Sequence, residues 1–295
     1  VGARAMGLPR RAGWTEELII DAEAVVTMTD ETQVRALRGF TQNATARALL
    51  HSLVATVAVW WVLSEWFFVF LPTPYEVASA FVEAVTSAEF YVDLAVTFRR
   101  VVLAWVGAMV IAVVLGIAMG RSWLVEAIAH PWVFVGLALP GPLVVLFGIL
   151  ALGLGEVTTM ISLLVVVTPF VVTFVFDGTK ALDNRLNEMS AVYRLADRDR
   201  IRHVVLPQMA PALMAAARFG FAMSWKLVVL VEALSSNVGI GERLQFFFVF
   251  NQPARVIAWT LTFTVVMVIV EVFGFRVVDR RLFAWRPEAA NLFRP

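Results

Sequence analysis

Long apolar runs, rather than short alternations, dominate this chain. Residues 101–120, 133–152 and 157–176 each supply twenty positions without a charged side chain. A helix needs about 20 such residues to cross the hydrocarbon of a bilayer. Residues 52–71 (with Glu65), 212–234 (with Arg218, Lys226 and Glu232) and 256–275 (with Glu271) are as long and almost as apolar. Inside hydrocarbon a backbone amide has no water to bond, so each run must satisfy its own amides as a helix. The pattern predicts an all-α integral membrane protein of six transmembrane helices, with a charged helical loop between spans four and five.

Between the runs the period changes. In LPTPYEVASAFVEAV (71–85) two prolines stop the first span, and Val77, Ala80, Phe81 and Ala84 then recur at helical intervals. That spacing predicts a short amphipathic helix at the outer interface. In the segment 177–211, Leu182, Leu186, Met189 and Tyr193 form an apolar stripe, while Lys180, Arg185, Glu188 and Arg194 occupy the other faces. A second, shorter helix is expected from Asp197 or Asp199, either of which could cap its amides, with Ile201, Val204 and Val205 as its apolar side. Pro207 is expected to end it and Pro211 to open the fifth span. A helix pair beneath a bilayer exposes a docking face, so this charged stretch reads as a partner site. Residues 1–45 have mixed charge and no apolar run, and read as a partly ordered extension without a signal peptide.

Composition agrees with a membrane chain: 60% of the 295 residues are hydrophobic and 16% charged, against about a quarter charged in soluble domains. There is no cysteine, which excludes a disulfide framework or a thiolate metal site, and a net charge of +1 gives no reason to expect a nucleic-acid partner. The placement of charge says more than its sum. With six spans and both termini on one side, the segments 1–47, Arg121, 177–211 and 276–295 hold 18 of the 24 Lys and Arg, and the opposite loops hold four. The basic side is predicted to be cytoplasmic.

Glu188, Met189, Ser190, Arg194, Ile201, Leu206 and Pro207 resemble, in order and spacing, the EAA loop of bacterial ABC importer permeases. LPTPYEV, ALPGPLVVLFGILALGLGE, WKLVVLVEALSSNVGIG and the terminal RRLFAW follow the order of the nitrate, sulfonate and taurine branch of that family. The likeness extends over about residues 46–287, which the resemblance makes the permease domain, flanked by a cytoplasmic extension at 1–45 and a cytoplasmic tail at 288–295. It implies that the charged loop is a coupling helix seated in a groove of a cytoplasmic ATPase subunit. A second permease copy would complete the path, and an extracytoplasmic binding protein would deliver the solute. ATP and Mg would be bound by the ATPase, with no cofactor in this chain. Met189 and Ser190 replace the family's two alanines, and Arg194 stands where the family has a glycine that allows a left-handed helix end.

The chain lacks the means to drive transport itself: it contains no GxxxxGK[ST] phosphate loop, no HExxH and no GxSxG. His51, His130 and His203 lie in three separate segments. Polarity inside the spans marks the expected translocation path. Charges in a bilayer are costly and face a bundle interior or an aqueous cavity. Arg218, Trp225 and Glu232 are heptad-spaced on one face of the fifth span with Lys226 beside them. Lys226 and Glu232 are expected to border the route, as an internal ion pair or as contacts for a charged solute. Glu271 is expected to pair with Arg276 or to face water. Pro140, Gly141 and Pro142 interrupt the third span and predict a kink that lines the path or a dimer seam. Gly116 and Gly120 suit a close helix contact, and Gly153 and Gly155 a tight outer turn.

The function the resemblance implies is the permease subunit of an ATP-driven importer of a small anionic or polar solute such as nitrate, a sulfonate or taurine. The competing class is an ion-coupled secondary transporter working through Lys226 and Glu232. A membrane-embedded enzyme would need converging acid, base or metal residues, which the sequence does not offer; a stand-alone channel is a weaker third reading.

Overall fold

The computed structural model describes residues 48, 51–68 and 70–275. Every regular element among them is helical. The chain divides into two units, 1–69 and 70–295. In the first, helix α1 spans 51–66 within the first predicted span. The expectations for 1–45, RRLFAW and the tail 288–295 fall outside the described residues.

In the second unit, α2 (Pro74–Thr86) begins with Thr73 as its cap. The Thr73 hydroxyl accepts from the Glu76 amide while the Glu76 carboxylate accepts from the Thr73 amide, a reciprocal capping box. Its buried stripe is Val77, Ala80 and Ala84, and it packs on α11 (Pro253–Ile269).

Four described helices are long and apolar enough to cross a membrane: α3 (Ala88–Arg121), α6 (Glu156–Lys180), Asp197–Ser235, and Pro253–Phe275. A fifth crossing exists if α4 (Trp123–Ala138) and α5 (Gly141–Leu152), bent by 102°, count as one span. The run 133–152 is thus two helices. The bend has a local cause at Leu139: a residue before proline avoids the helical region, and Leu139 takes extended backbone at ψ 124°; Pro140, the N-cap of α5, is extended too, at ψ 126°.

The core is built where α3, α6 and α9 (Leu206–Ser235) meet, with α5 against α6 and α9. The α3–α6 contact is close because its ridge has no side chains at two positions. A Cβ on Gly116 would lie 2.8 Å from the Val175 Cβ, and one on Gly120 would collide with Thr179. At the end where α6 starts, Gly153 and Gly155 adopt φ of 79° and 138°, and the Gly155 amide donates to the Ser235 carbonyl at 2.9 Å. That bond ties the α5–α6 turn to the end of α9. The helix α10 (Ile240–Val249) lies at the same end.

The segment before α9 departs from the expected two-helix break. Asp197–Arg200 (α8) passes through a wide π turn at Ile201–Val205 directly into α9, one continuous helix from Asp197 to Ser235. Pro207 does not end a helix and Pro211 lies inside one. A proline clashes with the carbonyl four residues earlier and lacks an amide hydrogen. The π turn, in which the Leu206 amide bonds Ile201 rather than Arg202, re-registers the ladder just ahead of Pro207. Neither Asp197 nor Asp199 caps the element; Ala196 precedes it without a side-chain bond, and Asp197 instead lies 3.6 Å from Arg200.

Candidate functional site

Two regions hold the candidate residues: the connector between α6 and α9, and the polar groups of the span bundle.

The connector begins where α6 stops at Lys180. Residues 181–183 break the helix, so Leu182 is not on the same helix as Leu186 and Met189; it packs on the core instead. Helix α7 (Asn184–Val192) is capped by Asp183, whose carboxylate accepts from the Arg185 amide at 2.8 Å. The Asp183 amide donates to the Gln208 side-chain carbonyl at 2.9 Å, and the Gln208 amide group donates to the Val204 carbonyl at 2.9 Å. Gln208 therefore pins the start of α7 to the π turn. No pattern in the sequence singles it out, because a lone glutamine carries no period.

At its other end α7 closes in a Schellman motif. The Leu195 amide bonds the Ser190 carbonyl at 3.1 Å and the Arg194 amide bonds Ala191 at 3.0 Å. Arg194 sits at φ 50°, the left-handed backbone a glycine would take, at a cost of about 1–2 kcal/mol for an ordinary residue. The replacement of glycine thus keeps the turn rather than rebuilding it. Ser190 is buried and donates to the Asn187 carbonyl at 2.6 Å. Glu188, Met189, Ile201 and Leu206 are exposed and Pro207 is half-buried. Val192 and Tyr193 are 80% and 71% exposed. The element presents apolar side chains to solvent, ringed by Arg185, Arg194, Arg198 and Arg202, all exposed. His203 is exposed too, and its ring nitrogen Nδ1 lies 3.1 Å from the Asp199 carbonyl. Apolar groups held outward by a fixed turn are what a docking face needs.

In the bundle, Glu232 is completely buried, but its partner is not Lys226. Arg100, from α3, reaches it at 2.7 Å and also pairs with Glu156 at the start of α6. The Glu232 carboxylate further accepts from the Thr97 hydroxyl at 2.9 Å and from the Gly241 amide at 3.0 Å. Thr97 in turn accepts from the Ile240 amide at 2.9 Å. Two of the otherwise unpaired amides at the start of α10, those of Ile240 and Gly241, are satisfied this way. Gly239, at φ 124°, is required there: a Cβ would lie 2.6 Å from a Glu232 carboxylate oxygen. Glu232 is a structural anchor of four helices in this arrangement. Sequence reasoning placed it on the path because its partner is 132 residues away at the edge of an apolar run.

Trp225 is buried and stacks on Phe263, with centroids 4.3 Å apart and planes at 11°; its indole N–H has no hydrogen-bond partner among the described residues. Arg218 is exposed and lies 3.5 Å from Glu271, which therefore pairs with Arg218; Arg276 lies outside the described residues. Lys226 is exposed. Pro140 and Pro142 are exposed at the bend, while Gly141 faces Val166 and Leu227. Heptad spacing thus put three residues on one face, and the structure divides them between a salt bridge to α11's continuation, an aromatic stack and a buried ion pair. Outside the spans, the hydrogen bond to Asp93 at 2.9 Å holds the Arg243 guanidinium above its ordinary pKa.

The family described as "Binding-protein-dependent transport system inner membrane component" matches residues 108–283. A putative aliphatic sulfonates transport permease protein, SsuC, of Bacillus subtilis is 27% identical, over 73% of this chain and 78% of its own length. The taurine transport system permease protein TauC of Escherichia coli is 22% identical, over 80% of this chain and 89% of its own. Among solved structures, the inward-facing MetNI methionine ABC transporter matches with a TM-score of 0.51 at 18% identity, covering 70% of this chain and 96% of that one. That likeness concerns the fold.

Proposed function

Because the chain belongs to the binding-protein-dependent transport system inner membrane component family, a multi-pass membrane family of permeases, we propose that it is the path-forming subunit of an ATP-driven importer for a small organosulfonate or related solute. The observation that carries this reading is the connector: a helix with outward apolar side chains and a fixed Schellman end, continuous with α9 through Asp197–Ser235. Force applied to α7 by a partner is transmitted to α9 through the Asp183–Gln208 bond and an unbroken helix. A disordered loop would absorb it.

In this reading the basic end of the bundle is cytoplasmic and α7 seats in an ATPase subunit that binds ATP and Mg. A second copy of the permease completes the path, and a binding protein delivers solute to the opposite end. Closure of the ATPases moves the connectors and exchanges the open end of the path. The names of the sulfonate and taurine relatives support the solute class. The ion-coupled alternative required Lys226 and Glu232 to act together, and Glu232 is occupied by Arg100, Thr97 and Gly241.

The test is recovery of the chain from its native membranes in mild detergent, with the stoichiometry of what accompanies it. An ATPase at one copy per permease is expected. Glu188→Arg should lower ATP-driven uptake about ten-fold or more, since a reversed charge at a docked face costs several kcal/mol, while the helical circular dichroism stays unchanged. Recovery of the chain alone, with transport that ignores ATP and Glu188→Arg, would overturn the proposal.

A further inference from the structure

Lys226 is an ionisable group in the bundle that the proposed coupling and the internal anchors leave unused. Well inside the apolar part of α9 lie two cations, Arg218 and Lys226. Arg218 pairs with Glu271, whereas Lys226 has neither an ion pair nor a hydrogen bond among the described residues. Four acids of the bundle are engaged by other cations: Glu156 and Glu232 by Arg100, Asp93 by Arg243, Glu271 by Arg218.

Lys226 lies deep in the apolar run of α9. Lys226 is nine residues before Ser235, roughly 13 Å below that helix end at 1.5 Å per residue, and further still from the other. A charged side chain at such depth is stable only against a protein interior or a water-filled cavity. Lys226 is not in the interior of this protomer. It is exposed together with Leu230 and Leu234, four and eight residues on, a stripe of α9 that no described helix covers. The α4–α5 bend marks the same level. Gly141 approaches Leu227, the neighbour of Lys226, and Pro140 and Pro142 expose irregular backbone there. Irregular backbone at membrane depth is likewise tolerated only against protein or water. Two independent features therefore mark one level of the bundle that must face water or a second protein surface, and the charge it holds is positive.

We propose that Lys226 is the anion-selecting residue of the translocation path, offering its ammonium group to the oxyanion of a small sulfonate or carboxylate solute as it passes the α4–α5 bend. The proposal rests on the importer reading for the passage of solute, though the binding it asserts is measurable without ATP. An ammonium supplies a point charge and three donors, enough to favour an oxyanion over a neutral solute without holding it tightly.

The chain contains two lysines, Lys180 and Lys226, so the ¹³C-dimethyl-lysine spectrum of the full chain in nanodiscs has two signals. Lys180, held at 2.6 Å by Glu126, is the internal control. Titration with ethanesulfonate is expected to move the Lys226 signal saturably and leave Lys180 in place, while neutral acetamide moves neither. In proteoliposomes of the complete transporter, Lys226→Met should lower ethanesulfonate uptake roughly ten-fold or more and Lys226→Arg should retain most of it. ATP hydrolysis stimulated by the loaded binding protein should stay within about two-fold. A Lys226 signal that ignores ethanesulfonate, or that acetamide moves equally, overturns the proposal whatever drives transport. So does unchanged uptake in Lys226→Met. An anion response in a chain that transports without ATP would leave Lys226 its role and overturn the importer reading alone.

Discussion

The two ends of the bundle use their charges in opposite ways. At the end opposite the connector, all four basic residues are paired across elements. Arg99 and Arg100 meet Glu156, Arg100 also meets Glu232, Arg243 meets Asp93 and Glu89, and Arg255 meets Glu83 at 2.9 Å. These bonds tie α2, α3, α6, α9, α10 and α11 to one another. At the connector end, Arg185, Arg194, Arg198 and Arg202 are exposed and make no ion pair among the described residues. The first end uses its charge to fix the geometry of its own helices, whereas the connector end, apart from the Lys180–Glu126 and Arg200–Asp197 pairs, leaves these four arginines available to a partner. Substitutions at the two ends should therefore fail in different assays: stability at the first, coupling or local dynamics at the second.

The largest effect is expected at Arg100. Arg100→Met leaves the Glu232 carboxylate, with no exposed surface, facing only the Thr97 hydroxyl and the Gly241 amide. Removing one member of a buried pair costs about 3–5 kcal/mol, whereas replacing both by apolar residues is often close to neutral. Thermal unfolding in detergent should show a large fall in midpoint for Arg100→Met and recovery of most of it in the Arg100→Met/Glu232→Met double variant. A single variant as stable as the parent would show that the cluster does not hold the end together.

A smaller effect at the same end is expected at Asp93, buried at 4% exposure and bonded to Arg243 at 2.9 Å. Asp93→Asn removes a charged hydrogen bond worth about 1.5–3 kcal/mol. Because Arg243 is on α10, the loss should appear as faster hydrogen exchange across 240–249 with little change in α6. Equal acceleration in both helices would mean that α10 is not held separately by this pair.

How much of this arrangement was legible in the sequence follows from the range of each interaction. Local features were readable: the apolar runs, the α2 stripe closing on Val77, Ala80 and Ala84, the break at Pro140–Pro142, and the glycine turn before Glu156 all depend on residues a few positions apart. The left-handed backbone at Arg194 was legible only as a position, since an arginine does not announce it. Pairings across the fold were not readable. Arg100 adjoins a run without charges, and nothing local assigns it to Glu232 rather than leaving Glu232 to Lys226, six residues away. Pro207 misled for a related reason. Proline punctuates a helix by default, and the π turn that accommodates it at Ile201–Val205 has no sequence signature of its own. Ion partners and ladder re-registration are set by tertiary packing, and a single chain read linearly does not contain them.

The smallest effect, and the one that most sharpens the contrast between the ends, is expected at Arg194. Arg194→Gly relieves roughly 1–2 kcal/mol of left-handed strain, but glycine also loses more freedom on ordering, which returns about 0.5–1 kcal/mol. The net gain is therefore small and local, and global unfolding should not register it. It should be visible in the two amides that close the Schellman motif, Arg194 to Ala191 and Leu195 to Ser190. Their exchange should slow by up to about five-fold, since ~1 kcal/mol corresponds to that factor. Arg194→Val, β-branched at the same φ of 50°, should speed it instead. If Arg194→Gly also weakens the recovered ATPase complex while tightening the turn, the arginine is held there against its backbone preference for what its guanidinium does at the docking face. If the complex is unaffected, the turn alone is the functional unit, and the charges at this end are solvated rather than engaged.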